Sequence, residues 1–252
     1  MLIKFILTSR ARQPRQLSLP LRTWGGRRPG AGRKPKGDRS EVSHLRRDPV
    51  TARYPVHVSF KFAARRDLRI HPARAALHQV LADLREVRPD FRVIAFSLQH
   101  NHLHTLVEAD SPNAFASGIR AFAIRAGKRL NQALGRTGRL FADRHHRRVL
   151  RTQAEVRAAL AYVLLNHRRH AAQGVGPLEP RGVDPFSSGA WFTGWKEAVP
   201  LPADPPVVQK PRTWLGAVGW KRKGRISLSE VPGDLGRARD DGSPSTLARP
   251  GS

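Results

Sequence analysis

The sequence predicts an α+β fold, a ferredoxin-like antiparallel sheet with helices on one face. Three observations carry that expectation. Apolar residues between about 56 and 170 switch back and forth between a period of two and a period near 3.6. The resulting order is strand, helix, strand, strand, helix, strand, helix, the split βαβ pattern. The flanks, residues 1 to about 50 and those beyond about 174, are rich in Gly, Pro and basic residues, which confines the patterned region to the middle of the chain.

The first strand is Val56-His57-Val58-Ser59-Phe60-Lys61-Phe62, which alternates and is rich in β-formers. His71-Pro72 then opens a helix, with proline in its first turn. Leu77, Val80, Leu81, Leu84 and Val87 recur at three- and four-residue intervals and make its buried face. Phe91 to Leu98 and His102 to Val107 are the next two strands. His100-Asn101 between them reads as a tight hairpin, or as a bend in one longer strand. A second helix covers Asn113 to Leu134, started by Ser111-Pro112 and stopped by Gly135. Its apolar positions are Phe115, Ile119, Phe122, Ile124 and Leu130, and Arg120, Arg125, Lys128 and Arg129 make another face basic. Arg147 to Leu150 is a short fourth strand. Thr152 stands three residues before Glu155, the spacing of a capping box, and starts a helix running to about His170.

Four regions follow: a basic arm over 1–50, a folded domain over 54–172, a partly packed extension over 173–232 and a disordered tail over 233–252. The extension is expected to pack because it carries Trp191, Trp195, Trp214 and Trp220.

The 252 residues carry a formal net charge of +27, which favours a polyanionic partner. No run approaches the ~20 apolar residues of a membrane span, and the apolar start Met1 to Leu7 is too short for a signal peptide. Nucleic acid is therefore the leading partner, with no membrane and a cytoplasmic, nucleoid-associated location. Cysteine is absent, so a metal here would need imidazole, carboxylate, amide or water. Arginine far outnumbers lysine. That suits bidentate phosphate contacts, and a GC-rich genome would produce the same excess.

His102 and His104 lie one residue apart on a strand and so share a face, where two imidazoles can bind one divalent ion. Tyr162 sits on the last helix, with Asn166 one turn on. A phenol beside a metal site suggests cleavage of single-stranded DNA through a phosphotyrosine link. Tyr54 precedes a proline at the domain entrance and is a poor nucleophile candidate. His100 has the parity of the pair, but its hairpin position argues against a third ligand. His57 on the first strand reads as a supporting or core residue. Arg144, His145, His146 and Arg147 are near enough in sequence to lend the phenol positive potential, or to form a solvated loop.

These residues resemble a known family. Ser97-Leu98-Gln99-His100-Asn101-His102-Leu103-His104-Thr105-Leu106-Val107 resembles the His-hydrophobic-His motif of the IS200-like single-tyrosine transposases, which are HUH endonucleases. Phe141-Ala142-Asp143-Arg144 resembles the Phe-x-Asp-Arg block of their REP-associated branch. Ala161-Tyr162-Val163-Leu164-Leu165-Asn166 resembles that branch's Tyr-hydrophobic-x-x-Asn motif, with His167 where a proline usually follows. Asp184-Pro185-Phe186-Ser187-Ser188 and Trp214-Leu215…Gly219-Trp220 look like tail segments of one subgroup.

The resemblance implies a metal-dependent endonuclease and strand transferase acting on hairpin-flanked single-stranded DNA. In it His102, His104 and Asn166 would hold Mg²⁺ or Mn²⁺, and Tyr162 would become the 5′-phosphotyrosine. Both monomers and homodimers occur in the family. The alternative is a domesticated, non-catalytic DNA-binding regulator with the same fold. Arg33, Lys34 and Lys36 lie in a Gly-flanked, proline-containing segment that resembles an AT-hook able to enter a duplex minor groove; the same residues also suit a basic linker. Arg120, Arg125, Lys128, Arg129, Arg144 and Arg147 are further candidates for DNA contact.

Overall fold

The computed structural model describes residues 49–63, 67–172, 174 and 182–233. The arm, with Arg33, Lys34 and Lys36, and the tail beyond 233 lie outside the described residues.

Strand β1 (Val56–Lys61) turns Val56, Val58 and Phe60 to one side and His57, Ser59 and Lys61 to the other. After α1 (His71–Val87) come β2 (Phe91–Leu98) and β3 (His102–Ala109), joined by a tight hairpin in which Gln99 N donates to His102 O at 2.8 Å. The middle segment is thus two strands and not one bent strand. Helix α2 (Pro112–Ala133) and β4 (His146–Val149) complete a four-stranded sheet of order β2-β3-β1-β4, antiparallel throughout. This is the ferredoxin-like α+β arrangement. The two helices within the repeat, α1 and α2, pack together on one face, as expected.

That face buries the main core. Leu77, Val80, Leu81 and Leu84 of α1 and Phe115, Ile119, Phe122 and Leu130 of α2 meet Val58, Phe60, Phe96, Leu98 and Leu103 of the sheet. Two expected core positions are exposed instead, Val87 at 50% and Ile124 at 53%. Val87 is the last residue of its helix. Ile124 is out of phase with the buried 115-119-122-126-130 stripe at about 100° per residue. Ser111 caps α2 by accepting from Ala114 N at 3.0 Å, and Gly135 ends it at φ 58°.

Gly118 on α2 faces the Phe91 ring so closely that a Cβ there would stand 2.2 Å from the ring. Phe91 is 1% exposed and cannot swing aside. Gly118→Ala should therefore destabilise the domain by about 1–3 kcal/mol, despite alanine's better helix propensity. Urea unfolding of the variant checks this; unchanged stability would mean the ring can move.

The other face is covered by α3 (Gln153–Leu164) and by the C-terminal extension. Thr152 caps α3 through the anticipated box: Glu155 N donates to Thr152 Oγ1 at 3.1 Å and Thr152 N to Glu155 Oε2 at 3.0 Å. The helix does not run unbroken to His170. Leu165 leaves helical geometry (φ −113°, ψ 20°), and a second helix, α4, spans Asn166–Ala172. Neither Gly nor Pro marks the break, so periodicity runs straight through it.

The extension follows the edge strand β2. Phe96 N donates to Ser188 Oγ at 2.9 Å, Leu98 N to Phe186 O at 2.8 Å and Gln209 N to Val93 O at 2.9 Å. An edge that would otherwise be open to another chain is thereby occupied. Trp195 and Trp220 are buried against α3, Trp191 is half-buried, and Trp214 stays 50% exposed. Two buried carboxylates fasten the extension. Asp184 receives Arg69 at 2.9 and 3.0 Å, and Glu108 of β3 accepts from Arg212 N, Thr213 N and Thr213 Oγ1.

Candidate active site

The face of the sheet turned to α3 is apolar at one end and imidazole-rich at the other. Strand parity puts His102, His104, Leu106 and Glu108 of β3 on this face. The antiparallel register sets Ser59 beside His104 and Lys61 beside His102, with His57 two residues along β1. The His57 and His104 rings stack at 5.5 Å between centroids, and His102 and His104 lie nearly parallel at 6.1 Å.

Tyr162 comes down onto this row from α3. Its ring stands edge-on to His104 at 5.2 Å and to His57 at 5.8 Å. The Arg169 guanidinium from α4 lies 5.4 Å over the Tyr162 ring. The tertiary fold therefore joins the two signals that the sequence separates by about sixty residues.

Burial sets the charge state of the row. Burial, with the Arg148 guanidinium helping, lowers the His57 pKa from 6.5 to about 4. His104 falls to about 3, again chiefly through burial, with His57, His102, His170 and Arg169 adding to it. His102 is lowered by burial and then by Lys61, His170 and His146. All three imidazoles are therefore neutral near pH 7 and keep a lone pair.

A consequence for stability follows. The unfolded chain takes up protons at these histidines below about pH 6.5 while the folded one does not, so stability is complete above that pH and falls as pH drops toward 4. For His57 alone the loss at pH 5 should be on the order of 2 kcal/mol. In EDTA the Tm should drop between pH 7 and 5, and it should drop less steeply in His57→Gln. Parallel curves for the two proteins would refute this.

The residues on this face offer the kinds of donor atom that a divalent cation takes. His102 Nδ1 lies 2.6 Å from Asn101 Oδ1, a contact that places the proton on Nδ1 and leaves Nε2 as a ligand atom. His104 Nδ1 and Asn166 Oδ1 are buried without a hydrogen-bond partner among the described residues. No group of three or more His, Cys, Asp or Glu among the described residues is arranged to hold a metal. A bound ion would therefore rely on two imidazoles, completed by amide, phosphate or water oxygens. Such a mixed set suits Mn²⁺ better than Mg²⁺.

Several expected neighbours are elsewhere. Asn166 opens α4 after the break, so it does not continue the Tyr162 face of one unbroken helix. His100 pairs with Asp67 at 2.8 Å in the hairpin region. Arg147 lies over Phe115 of α2 at 5.3 Å, on the side of the sheet away from Tyr162. Its neighbour Arg148 faces His57 instead, because adjacent strand residues point oppositely. Arg144 is exposed in the loop before β4. Arg120, Arg125, Lys128 and Arg129 belong to α2, on the opposite face from the histidines, and Arg129 is held by Asp83 at 2.5 Å and Gln79 at 2.8 Å. Sequence reasoning missed the direct place of His57 in the row, and it missed Arg148 and Arg169. Arg169 had a signal, since it stands two helical turns after Tyr162. Arg148 needed the β1–β4 register.

No family model and no curated protein matches this chain. Among solved structures, one that is similar is a REP-associated tyrosine transposase bound to a REP hairpin, at 17% identity and a TM-score of 0.44, covering 56% of this chain and 92% of that one. Another is a candidate transposase from Deinococcus radiodurans, at 12% identity and a TM-score of 0.33, covering 43% of this chain and 85% of that one. At these TM-scores neither likeness carries a role over to this chain, and the chemistry of its site rests on its own residues.

Proposed function

We propose that this chain is a metal-dependent endonuclease and strand transferase for single-stranded DNA, with Tyr162 as its nucleophile. The observation that carries the reading is the Tyr162 phenol, held edge-on to His104 and His57 beneath the Arg169 guanidinium. A tyrosine kept only for packing has no need of a row of neutral imidazoles and a cation at its ring.

A phenol has a reference pKa near ~10 and is a weak nucleophile at neutral pH. Arg169 and Arg148 supply positive potential on this face, which favours an approaching phosphodiester. His102 and His104 would hold Mg²⁺ or Mn²⁺, which polarises the scissile phosphate when bound. Tyr162 Oη bonds to phosphorus as the bond to the 3′ oxygen breaks. The phenolic proton leaves to water, and the 3′ oxygen departs as a hydroxyl. The DNA is then joined through its 5′ phosphate to Tyr162. Attack by another 3′-hydroxyl reverses these bonds, re-forms a phosphodiester and returns the phenol.

The net charge of +27 suits a polyanionic substrate. The motif resemblance suggests a hairpin beside the cleaved strand. No described helix is long and apolar enough to cross a membrane. The direct test is a covalent-adduct assay on a 3′-labelled, hairpin-flanked oligonucleotide with Mn²⁺. A labelled band that migrates with the protein in SDS is expected. No band across a panel of hairpin and unstructured strands would reject the enzyme in favour of a DNA-binding protein.

A further inference from the structure

A second surface, away from the histidine row, joins an exposed aromatic ring to unopposed cations. It is a groove of about 810 Å³ between the start of α3 and the end of the extension. Tyr54, Gln153, Trp214 and Lys223 are among the residues that line it. It is separate from the proposed active site: along α3 the rise from Gln153 to Tyr162 is about 14 Å.

Trp214 is unusual here. It is 50% exposed, yet it is firmly placed. It opens the short helix α5 (Trp214–Ala217), capped by Thr213, whose hydroxyl accepts from Gly216 N at 3.0 Å. Thr213 Oγ1 in turn donates to the fully buried Glu108 at 2.7 Å, and Arg212 N donates to the same carboxylate at 2.6 Å. The indole lies against bare backbone at Gly219, where a Cβ would come within 2.6 Å of the ring. An indole in an exposed position would ordinarily cost side-chain entropy to hold still; here a buried carboxylate on β3 and a glycine hold it.

The cations around it are equally specific. The Arg222 guanidinium stands 5.2 Å over the Trp214 ring, and Arg53 stands 5.6 Å over Tyr54. Lys221, Arg222 and Lys223 are consecutive and exposed in the 3₁₀ turn that follows α5. Among the described residues none of Arg53, Lys221, Arg222 and Lys223 has an acidic partner. Glu155, the acid nearest in sequence to this end of α3, is taken up by the cap and by Arg148.

Cations tracking a backbone beside a rigid, exposed aromatic platform are the elements of single-strand nucleic-acid binding. We infer that the Trp214 groove binds a segment of single-stranded DNA outside the cleaved phosphate, stacking an unpaired base on the indole while Arg53, Arg222 and Lys223 meet its phosphates. Duplex DNA fits less well, because its bases are already stacked and leave the indole no face to cover. The nature of the ligand rests on the proposed single-strand DNA reaction; the surface itself does not.

The test is fluorescence anisotropy of the full chain with labelled dT20 and with a blunt duplex of equal length, in EDTA so that no cleavage intervenes. Trp214→Ala should weaken dT20 binding about tenfold with an unchanged salt slope. Lys223→Glu, at an exposed position that folding does not need, should weaken it too and flatten the log–log salt slope by about one unit. Duplex binding should change less than twofold in Trp214→Ala. Unaltered dT20 affinity in both variants would overturn the site, and so would equal losses on dT20 and duplex. Circular dichroism of Trp214→Ala guards against a folding artefact, and Lys223→Glu decides the matter if that variant misfolds. The adduct assay is independent. Adduct formation with no effect of these variants on dT20 would remove this surface alone. A Trp214-dependent affinity without any adduct would remove the enzymatic reading alone.

Discussion

Tyr162→Phe should abolish the covalent protein–DNA adduct while leaving the protein folded. The substitution deletes one oxygen and keeps the ring that stands edge-on to His57 and His104. No hydrogen bond from the Tyr162 hydroxyl to a described residue supports the fold, and the ring is half-buried, so the stability change should stay within about 1 kcal/mol. The chemical loss should be far larger. Where a hydroxyl nucleophile has been removed from a covalent enzyme, rates have fallen by factors on the order of 10⁶. Cleavage of a 3′-labelled strand and the SDS-stable band should therefore disappear together, with affinity for the uncleaved strand kept. A band of undiminished intensity from the Phe variant would show that another residue attacks the phosphate. Tyr54 is the remaining tyrosine of the chain, and it precedes β1, at the end away from His102 and His104.

The next largest effect should come from the two β3 histidines. His102→Ala and His104→Ala should each reduce cleavage at least about 100-fold at limiting Mn²⁺, since each removes one of the two imidazoles proposed to hold the ion. The two variants should differ otherwise. His102 is partly exposed and its loss should leave the Tm nearly unchanged, so excess Mn²⁺ should restore part of its activity. His104 is 8% exposed and stacked between His57 and His102, so its truncation opens a hole and should also cost about 1–3 kcal/mol of stability. Mn²⁺ should support the wild-type protein at least as well as Mg²⁺. Full cleavage in EDTA, or a His102→Ala protein whose Mn²⁺ dependence matches wild type, would refute the metal role.

These experiments address different levels of the structure. Gly118→Ala probes the core on the far side of the sheet, and acidification in EDTA probes the burial of the histidine row. Trp214→Ala probes a surface whose ring is fixed by a carboxylate on the same strand that carries the histidines. If the proposals hold, β3 organises the site at one end through His102 and His104, and at the other the DNA-binding surface through Glu108.

What the sequence determined by itself is local. Period-two alternation marked β1 to within a residue, and the Thr152–Glu155 spacing located the start of α3. Parity alone put His102 and His104 on one face, because neighbouring side chains on a strand cannot do otherwise. What only the tertiary structure decided depends on register and on contacts across long stretches of chain. The β1–β3 and β1–β4 pairings chose His57 and Arg148, and not Arg147, as members of the histidine face. The helix break at Leu165 moved Asn166 onto its own helix and carried no Gly or Pro to announce it. The exposed setting of Trp214 was equally hidden, since residue type alone does not separate it from the buried Trp220 nearby. The physical reason is the same in each case. Alternation and capping are energies of neighbouring residues, whereas register, burial and the pKa values of the histidines are set by residues up to about a hundred positions away.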